Sequence, residues 1–155
     1  MRARLFTVLL GLVTAAMLTQ RAGAHCQIPC GIYDDPARFT MLEEHLTTIE
    51  KSMKQITELS AAEPEGHVNQ LVRWVMNKET HADEFTEIVT FYFMAQRVKP
   101  AEPGDREAFR KYVRQVTLLH QMVFNAMKAK QTTDLQYIEK LRSLVSSFKE
   151  LYMAK

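Results

Sequence analysis

The sequence predicts an all-α protein, an antiparallel four-helix bundle preceded by a short cysteine-bearing segment. Three observations predict it. Four long stretches repeat their apolar residues at helical spacing. Proline- and glycine-containing breakers separate the first from the second and the second from the third. No stretch alternates convincingly as a strand would, and glycine occurs only five times in 155 residues.

Residues 1–24 read as a cleaved leader. Arg2 and Arg4 form a basic start, Leu5 to Leu18 carries no charge, and Ala22-Gly23-Ala24 fits a small-x-small cleavage site. The apolar run is shorter than the ~20 residues a membrane-spanning helix needs. The expected location is therefore exported, periplasmic or secreted, where thiols can oxidise. The leader takes Arg2, Arg4 and Arg21 with it and no acid, so the net charge of +2 becomes −1. The basic balance of the whole chain thus argues for neither nucleic acid nor a membrane partner. The remaining length suits one domain with a real core.

Residues 36–155 carry the helices. The first is expected from Asp35-Pro36 to about Ala62, with Asp35 as cap and Pro36 at the first helical position. Leu42, Leu46, Ile49, Met53 and Ile56 form its seam, and Glu63-Pro64-Glu65-Gly66 ends it. The second is expected over residues 67–98, with Val68, Leu71, Val72, Val75, Ala82, Phe85, Val89, Tyr92 and Phe93 inward. Lys99-Pro100-Ala101-Glu102-Pro103-Gly104 stops it. The third starts near Asp105, with Phe109, Val113, Val116, Leu119, Val123, Ala126 and Met127 as seam. Thr133 with Gln136 resembles a capping box opening the fourth, whose apolar side is Leu135, Ile138, Leu141, Val145, Phe148 and Tyr152. Methionines and aromatics at these positions read as core. There is no C-x-x-C-H for haem, no glycine-rich phosphate loop and no Glu-x-x-His pair suited to a di-iron bundle.

Chemistry concentrates in residues 25–35, His25-Cys26-Gln27-Ile28-Pro29-Cys30-Gly31-Ile32-Tyr33-Asp34-Asp35, which hold both cysteines. Cleavage after Ala24 makes His25 the N-terminus. Its amine, with a reference pKa near 8, deprotonates within reach of a metal. Amine, Cys26 amide nitrogen and Cys26 sulfur close two five-membered chelate rings. The turn at Pro29-Cys30-Gly31 brings a second thiolate to the fourth corner. A planar N₂S₂ set points to Ni(II) or Cu(II) rather than Zn(II). The His25 imidazole can reach an axial position, and electron-rich donors favour a higher oxidation state. This is the N-terminal metal hook. A Cys26–Cys30 disulfide stays open as an alternative, since an exported C-x-x-x-C can oxidise. A zinc site would want four side-chain ligands. His45, His67, His81 and His120 have no matching spacing and read as surface or lightly buried residues.

The segment His25-Cys26-x-x-Pro29-Cys30-Gly31-x-Tyr33 resembles the hook of the nickel-containing superoxide dismutase family. Asn69 to Val75 and Lys78 to Ala82 resemble that family's second helix. The resemblance implies a four-helix bundle assembled as a homohexamer, with one nickel per subunit. It implies that nickel is held by the His25 amine and imidazole, the Cys26 amide nitrogen and thiolate, and the Cys30 thiolate. It further implies that two superoxide ions become dioxygen and hydrogen peroxide as nickel alternates between +2 and +3, with His25 catalytic and Tyr33 lining the substrate pocket. Two departures stand out. Gln27 replaces the acid some members carry after the first cysteine. In some members a glutamate and an arginine orient the axial imidazole. Glu43 or Glu44 would supply the first, and His81 stands where the arginine is expected. The leader resembles an ordinary export signal rather than the short one the family often carries, which leaves the cytoplasm as the alternative compartment.

Two other functions are compatible with the residues. One is an exported, non-catalytic nickel or copper carrier with the same chelate. The other is a structural helical bundle with a disulfide-closed N-terminal loop. Beyond Arg38 no Lys or Arg clusters near residues 25–35, so cationic steering of superoxide would fall to folded neighbours such as Lys78 or to other subunits.

Overall fold

A computed structural model describes residues 29–61 and 66–154. The leader, His25, Cys26 and the Glu63-Pro64-Glu65 breaker lie outside the described residues. Among the described residues every regular element is helical: α1 (Asp35–Ser60), α2 (Val68–Glu87), a π-helical segment (Ile88–Arg97) continuing α2, α3 (Arg106–Lys130) and α4 (Gln136–Met153).

Helix α1 forms where the apolar period demands it, burying Phe39, Leu42, Leu46, Ile49 and Met53 in alternating steps of three and four. Its cap differs from expectation by one residue. Asp34, not Asp35, accepts the hydrogen bond from the Ala37 amide at 3.0 Å, which releases Asp35 for another use. Helices α1 and α2 pack closely and antiparallel. His45 meets His81, and seven residues further along α1, Ser52 accepts from Asn77, four residues earlier on α2.

The inward face of α2 was expected along its whole length, but its first two turns stand outside the core. Val68, Val72, Val75 and Met76 are all exposed. The buried face starts at Lys78 and continues through Ala82 and Phe85. The expected single α-helix ending at Val98 instead widens into a π-helix over its last ten residues, closed by Val98 N donating to Phe93 O at 2.8 Å. Its five-residue hydrogen-bond step turns Ile88, Tyr92 and Gln96 to one side and Val89 and Phe93 deeper into the core.

Helix α3 begins after Asp105, whose carboxylate accepts from the Ala108 amide. Its seam is Gln115, Leu119, Met122, Ala126 and Ala129, rotated from the expected one, with Val113 and Met127 exposed. The expected Thr133 capping box is absent. Asp134 accepts from Gln136 N, and the Thr132 hydroxyl accepts from Asp134 N. Helix α4 buries Ile138, Leu141, Leu144, Val145 and Phe148. Phe39, Phe93, Phe148 and Tyr152 stack where α1, the π-helical segment and α4 meet, with centroids 4.8 to 6.1 Å apart.

Lys78 corrects another expectation. It is 5% exposed and donates to the carbonyls of Ala129, Lys130 and Thr132 at 3.3, 2.5 and 3.2 Å. These lie at and just beyond the α3 C-terminus, whose carbonyls lack helical partners and whose dipole favours a cation. Lys78 is therefore a structural clamp and is not available for steering an anion. Lys78→Met is expected to destabilise the fold by about 2–3 kcal/mol, because buried carbonyls lose charged donors. Urea unfolding checks this, and a change under about 0.5 kcal/mol would contradict the clamp.

Candidate metal centre

The described end of the hook is a tight turn. Gly31 adopts φ +80°, a left-handed conformation that a side chain at this position would strain. Pro29 precedes the turn and Cys30 is exposed within it.

The chain leaving the turn is anchored by its aromatic and acidic residues. The Tyr33 hydroxyl donates to Gln96 Oε1 at 3.3 Å, and its ring lies edge-on to Tyr92. The Arg97 guanidinium sits 4.4 Å from the Tyr33 ring centroid, a cation–π contact. Arg97 then forks onto Asp35, with Nε donating to Oδ1 at 2.8 Å and Nη2 to Oδ2 at 2.7 Å. Tyr92 donates to Asp35 Oδ1 at 2.6 Å and Tyr152 to Oδ2 at 2.9 Å. One carboxylate thus ties the start of α1 to the π-helical segment and to the end of α4. The hydrogen bond from Arg97 holds the Asp35 carboxyl below its usual range, against the opposing effect of burial. Burial and donation to Asp35 push both tyrosines up.

The π-helix is what makes this possible. Its wider turn delivers Gln96 and Arg97 together to the hook exit, while Gln96 Nε2 donates to Phe91 O at 2.7 Å and fixes its own amide. Rings and amide thereby hold Tyr33 beside the cysteine turn, at a partly exposed surface.

A cleft of about 370 Å³ opens next to the hook, with Pro29 and Arg38 on its wall beside Met41, His45, Glu84 and Tyr92. Arg38 also stacks on Tyr92, its guanidinium carbon 5.0 Å from the ring centroid.

The residues expected to orient the axial imidazole are seen without it, since His25 lies outside the described residues. Glu43 is held by Arg142 from α4 at 2.7 Å, and Glu44 is exposed. His81 instead meets His45, Nδ1 to Nδ1 at 2.9 Å, and both nitrogens lie near Glu84 Oε2, at 3.4 Å for His45 and 3.3 Å for His81. Burial lowers the His45 pKa, with Glu84 opposing. His45, read from sequence as a surface or lightly buried residue, and His81, read so or as a partner of the His25 imidazole, meet each other across α1 and α2.

Sequence reasoning missed Asp35 as a hub, Gln96 and Arg97 at the hook exit, and the pairing of His45 with Glu84. A signal for two of them was present: Gln96-Arg97 interrupts the apolar end of the second helix with adjacent polar residues.

The donor set at the hook suits a thiophilic transition ion: Cys30 is accessible at a glycine-assisted turn, with His25 and Cys26 immediately upstream in sequence. Among the described residues no helix is long and apolar enough to cross a membrane. No curated protein and no solved structure matches the chain. The sequence model of the nickel-containing superoxide dismutase family matches residues 20–155, which takes in the whole hook and all four helices. The chain therefore belongs to the nickel-containing superoxide dismutases, oxidoreductases that act on superoxide with a nickel cofactor.

Proposed function

We propose that this dismutase works through its N-terminal hook, with nickel held by the His25 amine and imidazole, the Cys26 amide nitrogen and thiolate, and the Cys30 thiolate. Bound there, nickel supplies the +2/+3 couple by which two superoxide ions and two protons become dioxygen and hydrogen peroxide. Thiolates and an amidate are the donors that bring such a couple within reach, and ordinary hard-ion sites lack them. His25 must be the first residue, since a preceding peptide bond would turn its amine into an amide.

Tyr33 lines the approach to the ion and helps place the anion and its waters. What supports this role is its position: three residues beyond Cys30, partly exposed, with its hydroxyl on Gln96 and Arg97 against its ring. Arg38 on the neighbouring cleft wall adds positive potential, while the charge of Arg97 is largely offset by Asp35.

The single observation that carries the reading is the family match over residues 20–155, which encloses His25, Cys26, Cys30 and Tyr33 in one motif. The leader directs export, and the mature chain is a homohexamer of antiparallel four-helix bundles. The exposed Val68, Val72, Val75 and Met76 on α2 are apolar surface that such an assembly would cover.

Superoxide decay measured with the purified, nickel-loaded chain starting at His25 tests the proposal. Acceleration of decay that depends on nickel is expected. Tight nickel or copper binding without acceleration would instead identify a metal carrier, and oxidised, metal-free Cys26 and Cys30 would identify a structural loop.

A further inference from the structure

The face between α1 and α2 carries a cluster the hook chemistry does not use. His45 comes from α1; His81 and Glu84, three residues apart, come from the facing side of α2. Their three ligand atoms form a nearly regular triangle with edges of 2.9, 3.4 and 3.3 Å.

Protons alone do not satisfy this triangle. With Glu84 as a carboxylate, each Nδ1 carries either one proton or one lone pair. If one ring is protonated at Nδ1, the lone pair of the other faces the carboxylate. If both are protonated, two N–H groups face each other. If neither is, two lone pairs do. One edge is always repulsive.

A cation satisfies all three edges at once. The point equidistant from the three atoms lies about 1.9 Å from each, so an ion about 1 Å out of their plane reaches ordinary metal–ligand lengths of roughly 2.1 Å. Ligand atoms at that bond length in octahedral or tetrahedral arrangement are about 2.9 to 3.4 Å apart, the range these edges span.

We propose that His45, His81 and Glu84 form a second metal site, built from ligands other than those of the hook, which takes a borderline divalent ion such as Zn(II). Two imidazoles and a carboxylate are the donors such ions favour. The site is supported and reachable: the His45 side chain is 12% exposed and held in the helix interface, while Glu84 is 46% exposed and His45 and Glu84 line the cleft that Pro29 borders. Solvent in that cleft completes the coordination.

The test uses the full mature chain carrying Cys26→Ser and Cys30→Ser, which removes both hook thiolates, and binding by the remaining His25 donors is distinguished by its indifference to changes at Glu84 and His81. Titrated with Zn(II) in a calorimeter, it is expected to bind about one equivalent per chain. Adding Glu84→Gln is expected to weaken binding at least ~10-fold, and adding His81→Ala to abolish it. Circular dichroism confirms that each variant is helical, and the conservative Glu84→Gln carries the test if His81→Ala unfolds. No Zn(II) binding by the hook-disabled chain would overturn the proposal, as would binding that neither substitution changes. If no Zn(II) binds, a loss of superoxide turnover on placing His81→Ala in the chain with both cysteines intact would reassign His81 to orienting the His25 imidazole. A hook that fails to carry nickel leaves this titration unaltered, so the two readings fail separately.

Discussion

Cys30→Ser is expected to remove nickel-dependent superoxide turnover altogether while leaving the helical fold intact. A serine hydroxyl is a poor, protonated donor at neutral pH and does not replace a thiolate on nickel. Cys30 is exposed and lies outside the helices, where substitutions are usually mild. Stability should change by no more than about 0.5 kcal/mol, the usual range for a surface substitution. Superoxide decay and urea unfolding, measured on the same preparation, separate the two effects. Retained nickel-dependent turnover would mean that Cys30 is not a ligand. A large loss of stability would mean that the turn does structural work the geometry does not suggest.

The second large effect is expected at Asp35. Its carboxylate accepts from Arg97, Tyr92 and Tyr152, and its side chain is 17% exposed against 28% for Arg97. Asp35→Ala leaves a guanidinium and two hydroxyls without their acceptor at the junction of α1, the π-helical segment and α4. Breaking a well-buried pair costs about 3–5 kcal/mol, and residual solvation at this junction brings the expected loss to about 2–4 kcal/mol. The pH dependence has a definite sign. Because the Arg97 hydrogen bond holds the folded Asp35 carboxyl low, its stabilisation is complete above the unfolded carboxyl pKa of about 4 and is lost as pH falls through the lower folded value. The wild-type chain should therefore lose stability on acidification below about pH 4 more steeply than Asp35→Ala. Parallel acid titrations of the two proteins would contradict the hub. Turnover should fall as well, because Arg97 and Tyr33 are positioned through this carboxylate.

Much of this molecule could be read from its residues. The α1 seam was legible because Leu42, Leu46, Ile49 and Met53 repeat at one clean period with polar residues between them. The α4 seam was legible for the same reason. On α3 the apolar residues are spread more widely than the buried face, and packing selected Met122 and Ala129 over Val113 and Met127. The start of α2 misled because its valines have the spacing of a buried stripe yet lie on an exposed surface. Period reports which residues share a face, and does not report what that face meets.

The site divides in the same way. The hook is a proposal that the sequence suggests through local chemistry: adjacent histidine and cysteine, a second cysteine four residues on, and a proline and glycine at the turn. The anchoring of the hook was not legible, because it is made by residues 57 to 117 positions from Asp35. The π-helix was invisible to a 3.6-residue reading, yet its wider turn brings Gln96 and Arg97 to Tyr33. The adjacency of Asp34 and Asp35 hid a division of labour, one capping the helix and the other binding arginine. Lys78 looked like a surface charge because nothing local reveals the carbonyls some fifty residues away that it satisfies.

The central claim is that catalysis needs the free amine of His25 beside two thiolates. Comparing superoxide decay by the nickel-loaded chain that begins at His25 with that of the same chain carrying one additional N-terminal residue tests it most directly. The expected result is rapid nickel-dependent decay for the first and background decay for the second. Equal activity from both chains would show that the His25 amine is not a ligand.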